Sequence, residues 1–91
     1  MEFEWDPAKD QANRVKHGVS FVEAMTIFGD PFEATIADPD HSDAENRFLS
    51  IGQSSDVRLL VVAYTERGGR IRIISARQAA SKERRQYESG N

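Results

Sequence analysis

VRLLVVAYTERGGRIRIISA, residues 57–76, is the stretch that decides the fold. Val57–Glu66 is dense in β-branched and aromatic residues, which suit a pleated, half-buried surface. It is apolar on both faces through its centre, as a central strand of a sheet requires. Gly68-Gly69 is a two-residue hairpin signal. Such a turn sets Arg67 against Arg70 and Thr65 against Arg72. In Arg70–Ala76 the isoleucines alternate with arginines, so Arg70 and Arg72 share one face and Ile71 and Ile73 the other.

Working upstream, Arg47–Gln53 reads as a strand, Ser54-Ser55-Asp56 as a turn, and Phe32–Ala37 as a further short strand. Between them Asp38-Pro39-Asp40-His41-Ser42-Asp43 is an acidic, turn-rich loop. The N-terminal third has a helical period instead. Asp6-Pro7 is a helix start, because Asp caps free backbone N–H groups and Pro suits the first helical position. Ala8, Ala12 and Val15 give an apolar stripe, and Gly18 fits the left-handed position that closes a helix, predicting a helix over 7–17. Ser20 and Glu23 have capping-box spacing, Phe21, Met25 and Phe28 line one face, and Asp30-Pro31 forbids continuation, predicting a helix over 20–28. The opening EFEW alternates as a short strand would, and residues 78–88 read as a closing helix. The fold class expected is α+β: an N-terminal αα-hairpin, a mostly antiparallel four-stranded sheet, and a C-terminal helix, in a single domain over residues 1–91.

With 91 residues, 38% hydrophobic and 30% charged, the chain has the balance of one small globular domain. No apolar run approaches the ~20 residues of a membrane span, and MEFEWDPAKD has neither the basic nor the apolar segment of a signal peptide. A cytoplasmic location is expected. There is no cysteine, which excludes disulfides, cysteine zinc sites and cysteine nucleophiles. The net charge of −3 argues at first against a nucleic-acid partner, but it is segregated. Residues 1–57 carry 4 Lys/Arg against 12 Asp/Glu, or −8; residues 58–85 carry 8 against 2, or +6; Glu88 adds −1.

The basic part holds most candidates for chemistry. Arginine grips phosphate with two parallel hydrogen bonds and stays charged, so Arg70, Arg72 and Arg77 are either a phosphate-binding surface or an ordinary charged face. Arg77 stands where the closing helix begins, and helix N-termini favour anions; a salt bridge to the acidic half is the other reading. Ideal alternation puts Arg77 on the face opposite Arg72, so joint action requires a bulge or a strand that ends before Arg77. Lys82, Arg84 and Arg85 add positive charge on the last helix. Tyr64 and Trp5 offer rings for stacking on a base, or core packing. His17 is suited to proton transfer near neutral pH, or to neutralising a helix C-terminus. Glu66 is either a base beside Arg72 or a partner for a neighbouring arginine. Asp38, Asp40, His41 and Asp43 lack the pattern of a calcium loop, and no metal site or cofactor is expected. There is no phosphate-binding glycine loop, no G-x-S-x-G and no H-E-x-x-H.

The motifs taken together resemble the BrnT toxins. Phe3-Glu4-Trp5-Asp6-Pro7-x-Lys9, Asn13-x-x-Lys16-His17-Gly18-Val19-x-Phe21-x-Glu23-Ala24, Phe28-x-Asp30-Pro31, Asp38-Pro39-Asp40-His41 and Glu45-x-Arg47-Phe48-x-x-Ile51-Gly52 carry the likeness through the first half. Thr65-Glu66-Arg67, Arg70-Ile71-Arg72-Ile73-Ile74-Ser75-Ala76-Arg77 and Glu83-Arg84-x-x-Tyr87 carry it through the second. The resemblance implies a RelE-like fold and the toxin of a type II toxin–antitoxin system. It further implies a ribonuclease that inhibits translation, and a BrnA-like antitoxin through which the pair reaches DNA, as a hetero-oligomer. By the same resemblance the catalytic role falls on His17, Arg47, Glu66, Arg72 and Arg77. The expected reaction is metal-independent cleavage of RNA by its own 2′-OH: Arg72 and Arg77 stabilise phosphate charge, Arg47, Tyr64, Arg70 and Arg84 support binding, and His17 or Glu66 carries the proton. The alternatives are a non-catalytic module that grips an acidic antitoxin segment, or an inactive remnant that serves in operon repression.

Overall fold

A computed structural model of the chain describes residues 1–37 and 47–90. The acidic loop with His41, and Glu45 after it, lies outside the described residues. In chain order the elements are β1 (Glu2–Glu4), α1 (Pro7–His17), α2 (Phe21–Met25) running into a 3-10 turn over Thr26–Gly29, β2 (Ala34–Ala37), β3 (Arg47–Gln53), β4 (Leu59–Arg67), β5 (Arg70–Gln78) and α3 (Ser81–Ser89).

Helix α1 begins and ends where its capping residues place it. The Asp6 carboxylate accepts from Ala8 N–H at 2.9 Å, and Gly18, at φ 69°, donates its N–H to the Arg14 carbonyl at 2.9 Å. Its buried residue is not the one the apolar stripe predicts. Val15 is 82% exposed, whereas Asn13 is 7% exposed. Strand β1 pairs with β5 only as far as Arg72, which leaves the outer edge of β5 beyond it unpaired. Asn13 fills that edge: its side-chain amide donates to the carbonyls of Ala76 and Val19, both at 2.8 Å, and accepts from Ala76 N–H at 3.1 Å. An orphan backbone group buried beside a helix costs more than a methyl stripe gains, so an amide faces the sheet here.

In α2 only half of the predicted capping box forms. Ser20 Oγ accepts from Glu23 N–H at 3.0 Å, but the Glu23 carboxylate turns to Ser54 and Arg58 instead of returning to the helix start. The helix also tightens after one turn into 3-10 geometry, so the predicted span of 20–28 divides in two.

The sheet has five strands in the order β1-β5-β4-β3-β2, and it is mixed. The expectation of four mostly antiparallel strands is corrected by β1, which pairs parallel to β5 with Glu2 beside Arg70 and Glu4 beside Arg72. The other three pairings are antiparallel. Strand β5 runs two residues past the predicted end at Ala76, because Arg77 and Gln78 continue to pair with Val61 and Leu60, and α3 therefore starts only at Ser81. Strand β4 lies third of five, with apolar residues buried on both sides.

One face of the sheet is covered by α1, α2 and the 3-10 turn. Val19, Phe21, Ala24 and Ile27 pack there on Leu60, Val62, Tyr64, Ile71, Ile73 and Ala76. The other face has a small apolar cluster of Ile51, Leu59 and Val61, against which Ala79 and Tyr87 of α3 pack. Beyond that cluster the second face carries Arg47, Thr65, Arg70 and Arg72, with Thr65 buried. No helix among the described residues is long and apolar enough to cross a membrane.

Candidate functional site: an arginine row on the open face of the sheet

The β4–β5 hairpin is built as its sequence requires. Gly68 and Gly69 take φ values of 56° and 81°, the left-handed pair that a two-residue turn between right-twisted strands needs. Arg67 lies opposite Arg70 and Thr65 opposite Arg72. The ladder then slips. Tyr64 pairs with Ile73, but Ala63 pairs with Ser75, leaving Ile74 as the extra residue of a β-bulge. Directly opposed residues share a face, so the bulge reverses the alternation of β5 beyond Ile73. Ile71, Ile73 and Ala76 all enter the main core, and Arg72, Ser75 and Arg77 come to one face, with Arg77 opposite Val61. Arg47, first residue of β3, stands opposite Thr65 on the same face. Arg47, Arg70, Arg72 and Arg77 thus form one row across three strands.

The row is partly neutralised by the protein itself. Arg70 Nε lies 2.9 Å from Glu2 and its Nη1 3.6 Å from Glu4; Arg72 Nη1 lies 3.3 Å from Glu4. These are solvent-facing pairs of the kind worth about 0–1 kcal/mol, and a phosphate can exchange for them at small cost. Arg77 is held more firmly: both its terminal nitrogens donate to Glu83, at 2.7 and 2.6 Å. Glu83 Oε1 also accepts from Ala80 N–H at 2.8 Å, so a carboxylate of α3 occupies the anion position at that helix's own N-terminus. The Arg77 hydrogen bonds hold the Glu83 carboxyl below its ordinary value, and Glu83 in turn raises Arg77. At the centre, Thr65 is 2% exposed and its Oγ1 has no hydrogen-bond partner.

The other predicted residues divide. His17, at the end of α1, lines a shallow groove of about 220 Å³ with Lys16, Ile74 and Ser75. Ser75 is the one lining residue that also belongs to the arginine face; the others belong to α1 and to the bulge. Glu66 does not join it: its cross-strand partner is Ile71, which places it on the helix-side face with Tyr64, away from Arg72. Tyr64 is 4% exposed; its ring packs on Phe28 and Phe48 at 5.1 and 5.6 Å and its hydroxyl accepts from Ser50 Oγ at 3.1 Å. It is a core residue, and no face of it is free for a base. Trp5 packs edge-on against Phe21 at 6.1 Å. Arg84 lines a different depression, between α3 and the Arg58–Leu59 end of β4. The acidic-loop residues Asp38, Asp40, His41 and Asp43 lie outside the described residues.

Two polar clusters that hold the framework have only faint sequence signals. Glu23, 8% exposed, accepts from Arg58 Nε at 2.9 Å, from Arg58 Nη2, and from Ser54 Oγ at 2.7 Å, while Arg58 Nη2 also donates to the Gly18 carbonyl at 3.0 Å. The Arg58 hydrogen bonds, opposed by burial, lower the Glu23 carboxyl. Asp30 accepts from Tyr87 Oη at 2.6 Å, Gln53 N–H at 2.8 Å and Phe32 N–H at 2.9 Å. Burial raises the Asp30 carboxyl, but those three bonds outweigh it and hold it low, and the same contact pushes Tyr87 up to about 12. The Asp30-Pro31 stop and the spacing Glu83-x-x-x-Tyr87 were the visible traces of these roles.

A search of solved structures finds this architecture in the 1.1 Å crystal structure of the Brucella abortus ribonuclease toxin BrnT, with a TM-score of 0.70 and 24% identity over 89% of this chain and 99% of that one. That likeness concerns the fold. Among curated proteins none matches the sequence. The family described as the ribonuclease toxin, BrnT, of type II toxin–antitoxin systems matches residues 5–83, from Trp5 through the carboxylate that holds Arg77. Over that span, which takes in every strand from β2 to β5, the chain belongs to the BrnT family of type II toxin–antitoxin ribonuclease toxins.

Proposed function

We propose that the arginine row is the active site of a metal-independent endoribonuclease. The observation that carries this reading is the bulge at Ile74, which aligns Arg72, Ser75 and Arg77 on one face, with Ser75 also lining the groove of His17. RNA supplies its own nucleophile. A base removes the 2′-OH proton, the freed oxygen attacks the adjacent phosphorus, the bond from phosphorus to the 5′ oxygen breaks, and an acid protonates that oxygen. The products are a 2′,3′-cyclic phosphate and a 5′-hydroxyl. Arg72 and Arg77 stabilise the charge that grows on the phosphate oxygens, Arg47 and Arg70 position the strand, and the buried Thr65 hydroxyl offers a further donor at the centre of the row. His17, whose groove shares Ser75 with the arginine face, is the proton carrier. Glu4 and Glu83 hold the arginines in place until substrate arrives.

A type II toxin has an antitoxin partner, and a BrnA-like chain that contacts DNA on behalf of both fits this one. A second reading has its own support. Arg77 already grips a carboxylate with both nitrogens, so an acidic antitoxin segment suits the row as well as RNA does, and a purely binding module would use it without cleavage. Expression of Arg72→Ala and Arg77→Ala in cells separates the two. The catalytic reading predicts that each variant relieves growth inhibition by the uncomplexed toxin while remaining folded, with a rate loss of about 10²–10³ for one lost cationic donor. Full toxicity in both variants would overturn it.

A further inference from the structure

Several cations of the basic half are already committed to carboxylates, while two of the acidic half are not. Arg58, Arg70, Arg72 and Arg77, all from the basic half, each hold a carboxylate. Lys9 and Lys16 of α1, from the acidic half, are exposed and have no ion pair among the described residues. They lie on one side of the helix with Asn13 and His17, and all four line the groove closed by Ile74 and Ser75 of the bulge. Asn13 fixes this face of α1 against β5, so the lysines have a set position relative to the bulge. The nearest carboxylate in sequence, Asp10, is engaged by Phe21 N–H at 2.8 Å and by Arg14 at 3.8 Å.

Lys16 has an internal explanation, since a cation near a helix C-terminus is favoured. Lys9 has no such explanation. It sits in the first turn, where the helix dipole disfavours positive charge, and its acidic neighbour at helical spacing, Asp6, is engaged by the Ala8 N–H and forms no ion pair with it among the described residues. Seven residues of helix separate the two ammonium groups by about 10 Å along the axis, too far to share one phosphate. We infer that Lys9 and Lys16 form a second anion track, which binds successive backbone phosphates of single-stranded RNA next to the step held by the arginine row. This rests on the proposed ribonuclease reading and adds a binding surface to it. Lysine at such points contributes charge without base recognition, so the track holds the strand irrespective of its sequence.

The test uses the full chain and a 2′-O-methylated single-stranded RNA, which lacks the nucleophile and is bound without being cut. Lys9→Gln/Lys16→Gln is expected to weaken binding about tenfold at low salt. Because each phosphate contact on a single strand contributes ~0.7 to the slope of log K against log salt, the slope should fall by about 1.4. On unmodified RNA the loss should fall on KM. Lys9→Arg/Lys16→Arg should restore both values. If the wild-type protein binds and cleaves RNA while the glutamine variant keeps its affinity and slope, the lysine track is wrong and the arginine site stands. If the arginine variant loses as much as the glutamine variant, the lysines act on structure and the inference fails. If the wild-type protein neither binds nor cleaves RNA, the ribonuclease reading falls and the track with it.

Discussion

Glu23 is a buried carboxylate on a helix whose sequence marks it only as a capping residue. It is kept charged by Arg58, which reaches across from the start of β4 and also ties down the Gly18 carbonyl. Removing one member of such a pair leaves the other uncompensated. Glu23→Ala should therefore destabilise the fold by about 2–3 kcal/mol, at the lower end because Arg58 is 32% exposed, as measured by urea unfolding at pH 7; a loss below about 0.5 kcal/mol would contradict this role. Glu23 and Glu83 both titrate lower in the folded state than free carboxyls. Their stabilisation is complete above the ordinary glutamate range and is lost as pH falls through the depressed values. Tyr87 works in the opposite sense. Its pKa is raised from 10.0 to about 12, so its bond to Asp30 is intact below pH 10 and fades as pH rises towards 12. Tyr87→Phe should lower Tm at pH 8 and flatten the fall in Tm that the wild-type chain shows over that alkaline window; parallel curves would count against it. At this scale the sequence was read well where a residue acts on its own backbone, as Asp6, Ser20 and Gly18 do. It was read poorly where the partner is remote: Asn13 and Val15 could not be ranked without knowing that β1 stops short and leaves the edge of β5 open.

The elements themselves were legible from period and punctuation, and their errors cluster at the joins. Helix α3 starts three residues later than read because β5 goes on pairing to Gln78. Strand β4 starts at Leu59, after a turn in which Val57 has φ 61°. That left-handed conformation is strained for a β-branched residue by roughly 1–2 kcal/mol. Val57 is also 74% exposed, so Val57→Asn, which tolerates the conformation, should stabilise the chain by about 1 kcal/mol in denaturant unfolding. A destabilisation would show that its exposed side chain has a packing role instead. The bulge left no trace in the alternation of Arg70–Ala76, since Ile73-Ile74 reads equally as a regular buried pair. Its presence decides whether Arg77 faces Arg72, so the arginines could be named from the sequence but not placed on one surface.

At the scale of the molecule, the split of −8 and +6 along the chain does not survive folding. The parallel pairing of β1 to β5 lays Glu2 and Glu4 directly against Arg70 and Arg72, and Lys9 and Lys16, which have no ion pair among the described residues, come from the acidic half. A parallel strand joins elements at the two ends of the chain, so no count by segment predicts where charge balances. On the proposed reading this face cleaves RNA with the substrate's own 2′-OH and no metal. Incubation of the purified chain, freed of antitoxin, with single-stranded RNA in EDTA tests it most directly, with the new ends identified chemically. The expected result is cleavage that survives chelation, leaves 2′,3′-cyclic phosphate and 5′-hydroxyl ends, and falls by at least about 10² in Arg72→Ala. Intact RNA, cleavage abolished by EDTA, or 5′-phosphate ends would contradict it.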